Sequence, residues 1–178
     1  FLRDWNVHHK TVISGNVAHL VVGDNGWQLP IPVVKTASGW QFDMQEAAEE
    51  ILTREIGRNE LAAIEALHAY VDAQQSYFAM NQKYAQKIVS SKGKKDGLYW
   101  PGAPGETPSP LGPAFSPPQS GAGYHGYRFR IMPDKNGFAM VAWPVNYGQT
   151  GVMSFVINQD DAVYQADLGN DSAQKAQA

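Results

Sequence analysis

The chain has 178 residues, 43% hydrophobic and 17% charged, with a formal net charge of -3. A chain of this length can bury on the order of 70% of its unfolded surface, so it can fold without a metal or disulfide clamp, and its slight acidity argues against a general nucleic-acid binder. Cysteine is absent, which excludes thiol catalysis, disulfides and cysteine-based zinc sites. No run approaches the roughly 18 apolar residues that span a bilayer. The sequence starts at Phe1 rather than Met, which reads as a processed or truncated N-terminus compatible with a removed export signal.

In NVAHLVVGDNGWQLPIPVVKTASGWQFD two β-rich runs flank Gly23 to Gly26, whose glycines tolerate the positive φ of a tight reversal. Pro30 and Pro32 cannot donate ladder hydrogen bonds, so the second run must carry an edge or a bulge there. A second reversal at Thr36 to Gly39 leads to Trp40 and Phe42, which share a face at period two. Residues 1–43 thus read as a small antiparallel meander.

Helical spacing follows. Met44, Ala47, Ala48, Ile51, Leu52 and Ile56 recur at three and four residues, with Gly57 as the expected C-terminal cap. Asn59 then caps a second predicted helix with a stripe of Leu61, Ile64, Leu67, Val71 and Phe78. A third, shorter helix is predicted in QKYAQKIVSS, ending at Gly93. Beyond a Pro/Gly-rich run, Tyr127, Phe129 and Ile131 alternate with Arg128 and Arg130, GFAMVAWP reads as an interior strand, and two strands flank a reversal at Asn158 to Asp161. Residues 170–178 have nothing evident to pack and read as a flexible tail. The fold class is α+β: the N-terminal meander, two to three central helices, and a C-terminal antiparallel sheet within 44–169.

The candidate chemistry is incomplete at every place it surfaces. Gly93-Lys94 lacks the earlier glycine and the following Ser or Thr of a phosphate-binding loop, so Lys92, Lys94 and Lys95 read better as charges at a helix end. Lys94, Lys95, Tyr99 and Trp100 interleave cations with rings, and with Tyr147 they are candidate ligand contacts. The plainer reading is that Leu98, Tyr99 and Trp100 plug the loop onto the core. His8 and His9 point to opposite sides of a strand, and His68 with Asp72 is a lone pair at helical spacing, so no metal site is assigned. Ser120 lacks the glycine two residues before it that a nucleophile elbow uses. His125, at the start of a strand beside the irregular loop, is the candidate acid/base residue, against the plainer reading of a loop histidine. No cofactor is implied.

The strings WQLPIPVVK, GWQFD, REIGRNELAAIEALHAYVDAQQSYF, SSKGKKDGLYWP, YHGYRFRI, GFAMVAWPVNYGQTGVMSFVINQ and VYQADLG, in this order from about Val21 to Gly169, resemble the bacterial family DUF2950, a domain of unknown function. The resemblance implies an exported protein of the cell envelope, periplasmic or secreted, and carries no established chemistry. Against the family pattern the chain is short after Met80 and between Pro133 and Asn136. The order of elements is also similar to type IV pilin head domains, and LPIPVVKTASGWQFD to the closing strands of small cone-shaped domains, of which residues 1–43 would be a remnant.

Three functions follow as expectations. The first is a non-enzymatic binding or assembly module of the envelope, presenting aromatic surface to a protein or polymer. The second is a hydrolase with His125 as general base in a cleft bordered by Tyr99, Trp100 and Tyr147. The third is a small-ligand binder with a pocket lined by Trp27, Trp40 and Phe42.

Overall fold

The structure, a computed structural model, describes residues 1–102, 105–113, 123–132 and 137–178. The α+β class holds, with two compact units, Phe1–Glu55 and Ile56–Ala178. Ser120 and the bridge from Pro133 to Asn136 lie outside the described residues.

In the first unit, α1 (Leu2–Val7) precedes β1 (His9–Ser14), β2 (Val17–Val22), β3 (Trp27–Gln28), β4 (Val33–Thr36) and β5 (Gly39–Phe42). The strands form an antiparallel sheet in the order β1-β2-β4-β5, with β3 also paired to β2. The predicted reversals are present: Val22 pairs with Trp27 across a turn whose Gly23 and Gly26 have φ of 75° and 71°, and Thr36 pairs with Gly39. The two prolines act as expected. β3 pairs with Val21 and Val22, β4 pairs with Val17 and Ala18, and Pro30 and Pro32 fall in the gap between the two paired stretches.

The predicted break at Gly57 does not occur. Met44–Asn81 is one helix of 38 residues, α2. It starts on Asp43, whose Oδ1 accepts the N–H groups of Gln45 and Glu46, each at 3.1 Å. A glycine cap needs positive φ, and Gly57 is not among the glycines that adopt it. Asn59 does not cap a helix either; its Nδ2 donates to Thr150 O at 3.0 Å. The helix closes at Asn81, followed by Gln82 with φ of 55°.

In the second unit β6 (Tyr127–Met132), β7 (Ala139–Pro144), β8 (Met153–Asn158) and β9 (Val163–Asp167) make a four-stranded antiparallel sheet in sequence order. The alternation read from the sequence sets its two faces. Tyr127, Met140, Ala142, Phe155 and Ile157 form one buried cluster with Ala63, Leu67, Tyr70, Val71, Ala73 and Tyr77 of α2. The predicted stripe holds at its centre, where Leu67 and Val71 are in the cluster and Ile64 packs on it, but not at its ends: Leu61 is 63% and Phe78 38% exposed, while Gln74 is fully buried.

The third predicted helix is also absent, because the backbone of residues 85–90 is spoken for by other partners. Gln74 Nε2 donates to Ala85 O and Gln74 Oε1 accepts Ala85 N–H, both at 2.8 Å. Leu98 N–H donates to Lys87 O (3.0 Å), Tyr99 N–H to Ile88 O (2.8 Å) and Ser90 N–H to Tyr99 O (2.8 Å). The C-terminal residues do find something to pack. A 3-10 turn (Gly169–Asp171) leads into α3 (Ser172–Lys175), and Ala176 is buried with Val141 and Trp143 on the sheet face opposite α2.

Candidate functional site

The lysine-rich loop is built around Asp96. Its Oδ1 accepts the N–H of Ser91 (2.7 Å), and its Oδ2 accepts Lys87 Nζ (2.8 Å) and the Ser91 hydroxyl (3.1 Å). Lys87 Nζ also donates to Ser91 Oγ at 2.8 Å. This Ser-Lys-Asp group was missed in the sequence because the residues look like a charge run. Its chemistry is structural: an ammonium donating to Ser91 Oγ cannot take the serine proton, and Asp96 is a poor base. The Lys87 hydrogen bond, then the Ser91 N–H, hold its carboxyl well below the usual carboxylate range. Gly93, with φ of 73°, and Lys94, whose N–H donates to Ser91 O at 2.9 Å, form a turn rather than a helix end.

The aromatic plug is real at two of its three positions and half-buried at the third. Leu98 and Trp100 belong to the core at 0% and 5% exposure, and Tyr99 packs against it. Trp100 Nε1 donates to Thr107 O at 3.3 Å. Lys95 Nζ stands 5.5 Å from the Trp100 ring centroid and 3.5 Å from Glu106 Oε2. Lys95 and Trp100 thus come together, with Trp100 facing inward.

His125 and Tyr147 lie on the loops at one end of the C-terminal sheet. Tyr124 and Tyr127 exchange both backbone hydrogen bonds at 2.9 Å, and the two residues between them, His125 and Gly126, have φ of 46° and 71°. That is the two-residue hairpin turn in which both central residues need positive φ. His125 is exposed; its ring meets Tyr124 edge-on at 4.5 Å, and among the described residues no carboxylate or hydroxyl hydrogen-bonds to it. A base without an orienting acid or a nucleophile is half a constellation. Tyr147 donates to Asp167 Oδ2 at 3.1 Å, and that hydrogen bond raises its pKa.

Behind this turn sits a polar clamp that the sequence did not announce. Glu60 Oε1 accepts the N–H groups of Val152 (2.9 Å) and Met153 (3.0 Å), and Tyr127 donates to Met153 O at 2.8 Å. Burial first, and the Glu60 charge second, push the Tyr127 hydroxyl above its ordinary pKa, so it stays a donor. The two backbone N–H groups and the phenol are all partnered, which marks a fastening between helix and sheet.

The histidines and rings of the first unit behave differently. His9 stacks on Trp5 with ring centroids 3.8 Å apart, and its Nδ1 is 2.9 Å from Trp5 O. Phe1 meets Trp27 edge-on at 6.2 Å, and together with Asp4, Val22 and Asn25 these two rings bound an open cavity of about 270 Å³. Arg3 Nε donates to Asp4 Oδ1 at 2.9 Å, and that hydrogen bond, then the Arg3 charge, lowers the pKa of Asp4. Trp40 and Phe42, the other two residues of the expected pocket, do not line this cavity and are 45% and 61% exposed. In the second unit His68 pairs with Asp161, 2.6 Å away, rather than with Asp72. Among the described residues no group of three or more His, Cys, Asp and Glu could hold a metal ion, and no helix is long and apolar enough to cross a membrane.

No curated protein matches the chain. No solved structure matches it either, so the likeness to pilin heads has no structural neighbour behind it. One family profile, described as a protein of unknown function, matches residues 1–136 and 134–178. The match extends the resemblance from its central strings to both ends of the sequence, and its two stretches meet in the segment noted above as short. The chain belongs to the family DUF2950.

Proposed function

We propose that this chain is a non-enzymatic binding module of the bacterial envelope that holds a glycan polymer on the aromatic surface of its N-terminal unit. The observation that carries this reading is the open cavity of about 270 Å³ with the rings of Phe1 and Trp27 on its walls and the side chains of Asp4 and Asn25 beside them. A ring stacks on the C–H face of a pyranose, while a carboxylate and a carboxamide receive and donate the hydroxyl hydrogen bonds. Trp40 and Phe42 add exposed ring surface in the same unit. A long polymer can engage several such rings where a small molecule uses one. Support for an envelope location is the resemblance to exported proteins.

Co-sedimentation of the purified protein with insoluble cell-wall glycan tests the binding. Wild-type protein is expected in the pellet, and Trp27→Ala is expected to reduce the bound fraction about tenfold, the scale of one lost stacking ring. Equal sedimentation of the two proteins, or none of the wild type, overturns the reading. Fractionation of cells expressing the natural gene tests location, with recovery in the cytoplasm as the contrary result.

A further inference from the structure

We propose that the face of the C-terminal sheet opposite α2 is a carboxylate-binding site, kept closed by the segment Gly169–Ala178. This site lies in the other unit from the ring-lined cavity and does not depend on it.

Arg130, Trp143 and Ser154 all belong to this face, since their strand neighbours Phe129, Ile131, Ala142 and Phe155 pack toward α2. Trp143 pairs with Arg128, Arg130 pairs with Val141, and the pairing of Ala142 with Phe155 sets Trp143 beside Ser154. Trp143 is thus a direct neighbour of Ser154 and a diagonal one of Arg130, roughly 5–8 Å from each, and its indole stands between the guanidinium on β6 and the hydroxyl on β8. Among the described residues, Arg130 Nε, Trp143 Nε1 and Ser154 Oγ are buried without a hydrogen-bond partner, in residues of which Trp143 is 5% and Ser154 4% exposed. Each of these atoms carries a proton to donate, so what the patch lacks is an acceptor.

The cover supplies only one. Arg130 Nη2 donates to Ala176 O at 2.7 Å, while Nε on the same edge of the guanidinium has none. A carboxylate takes Nε and Nη2 together through two parallel charge-assisted bonds, and its remaining lone pairs suit the indole N–H and the hydroxyl. It would therefore replace the single carbonyl and relieve Arg130 Nε, with the Trp143 indole N–H and then the Ser154 hydroxyl as the next donors along the face. The cover is weakly held by comparison. α3 has 4 residues, too few to be helical alone, and the cover's apolar contact is only Ala176 and Ala173 on Val141 and Trp143, with Met132 and Val156 at the margin. A carboxylate can come from a free small acid or from an acidic peptide, and the two are separable.

The test is a titration of the ¹⁵N-labelled chain with sodium acetate or with a tetraglutamate peptide, against sodium chloride at equal ionic strength. The expected result is a saturable shift of the Trp143 indole N–H together with loss of exchange protection at the Ala176 amide. Saturation by acetate identifies a small-acid site, and saturation by the peptide alone identifies an acidic chain. Arg130→Lys, which keeps the charge but loses the fork, is expected to weaken binding about tenfold. Ser154→Ala serves as a second variant that keeps the guanidinium, with a loss of a few fold. A chain ending at Leu168 is expected to bind more tightly than wild type, having no competitor for the site. A Trp143 indole signal that responds to acetate and peptide no more than to chloride overturns the proposal, as does unchanged affinity in both variants.

Discussion

Gln74 holds Ala85 by both of its backbone groups, accepting the N–H and donating to the C=O at 2.8 Å each, in a position with no exposure. A glutamine side chain here replaces a neighbouring strand, and its Nε2 also donates to Tyr70 OH at 2.9 Å. Burial raises the pKa of that hydroxyl to about 12, with Gln74 opposing, so Tyr70 remains protonated through the physiological range.

Replacing Gln74 with Leu leaves the N–H and C=O of Ala85 buried without partners. At about 1–3 kcal/mol per orphaned group, Gln74→Leu is expected to lower stability by roughly 2–4 kcal/mol, measured by urea unfolding. A loss below about 1 kcal/mol would show that water replaces the amide.

Asp96 governs the acid side of the loop. Its folded-state pKa is depressed by Lys87 and the Ser91 N–H, so its contribution is present above the ordinary carboxylate pKa and is lost as pH falls through the folded value. Asp96→Asn removes that dependence. The variant is expected to be less stable at neutral pH and to converge on wild type as pH falls below about 4, read from urea midpoints. Parallel curves would mean that the carboxylate is not engaged.

His125→Asn separates the turn from the chemistry. A β-carbon at φ of 46° is strained, and asparagine tolerates that region better than histidine. The variant is expected to equal or exceed wild-type stability by a few tenths of a kcal/mol while glycan binding is unchanged. Loss of a hydrolytic activity in this variant would instead restore His125 as a base.

Trp27 and Trp100 should part company. Trp27 is 42% and Trp100 5% exposed. Trp100→Ala is expected to cost about 3–5 kcal/mol of stability through the cavity it leaves, whereas Trp27→Ala affects binding with little change in melting temperature. Circular dichroism melts of the two variants decide it.

Gly97→Ala tests the tightness of the loop. A β-carbon there would stand 2.8 Å from Ser90 N and from Val89 C, both backbone atoms that cannot swing aside. A loss of at least about 2 kcal/mol is expected in chemical denaturation. A neutral result would mean that the pairing of Ser90 with Tyr99 can open by several tenths of an ångström without cost.

What the sequence made legible was periodic. Tyr127, Phe129 and Ile131 alternate with two arginines, and the glycines around Asp24 and Asn25 announce a hairpin, so the C-terminal sheet and the β2–β3 reversal could be read directly. The rest depended on partners distant in sequence. Asn59 looks like a cap until Thr150 takes its amide, and Gln74 looks like a solvent-facing residue until Ala85 reaches it. β1 offers no period-two signal because all six of its residues are exposed. Ala173 and Ala176 are too small to advertise a buried face, so α3 passed for a tail. At the sites, ring exposure was the hardest property to foresee: Trp100 and Trp27 both follow turn-rich segments, and only packing distinguishes them.

The Asp96 knot also says where this chain can be cut. Lys92, Gly93 and Lys94 form an exposed turn whose two flanks are tied together by Ser91 and Asp96, and again by Ser90 and Tyr99. A proteolytic nick after Lys92 would therefore leave both fragments attached to one core. The same turn is a place to insert residues, since an insertion there would interrupt no strand or helix.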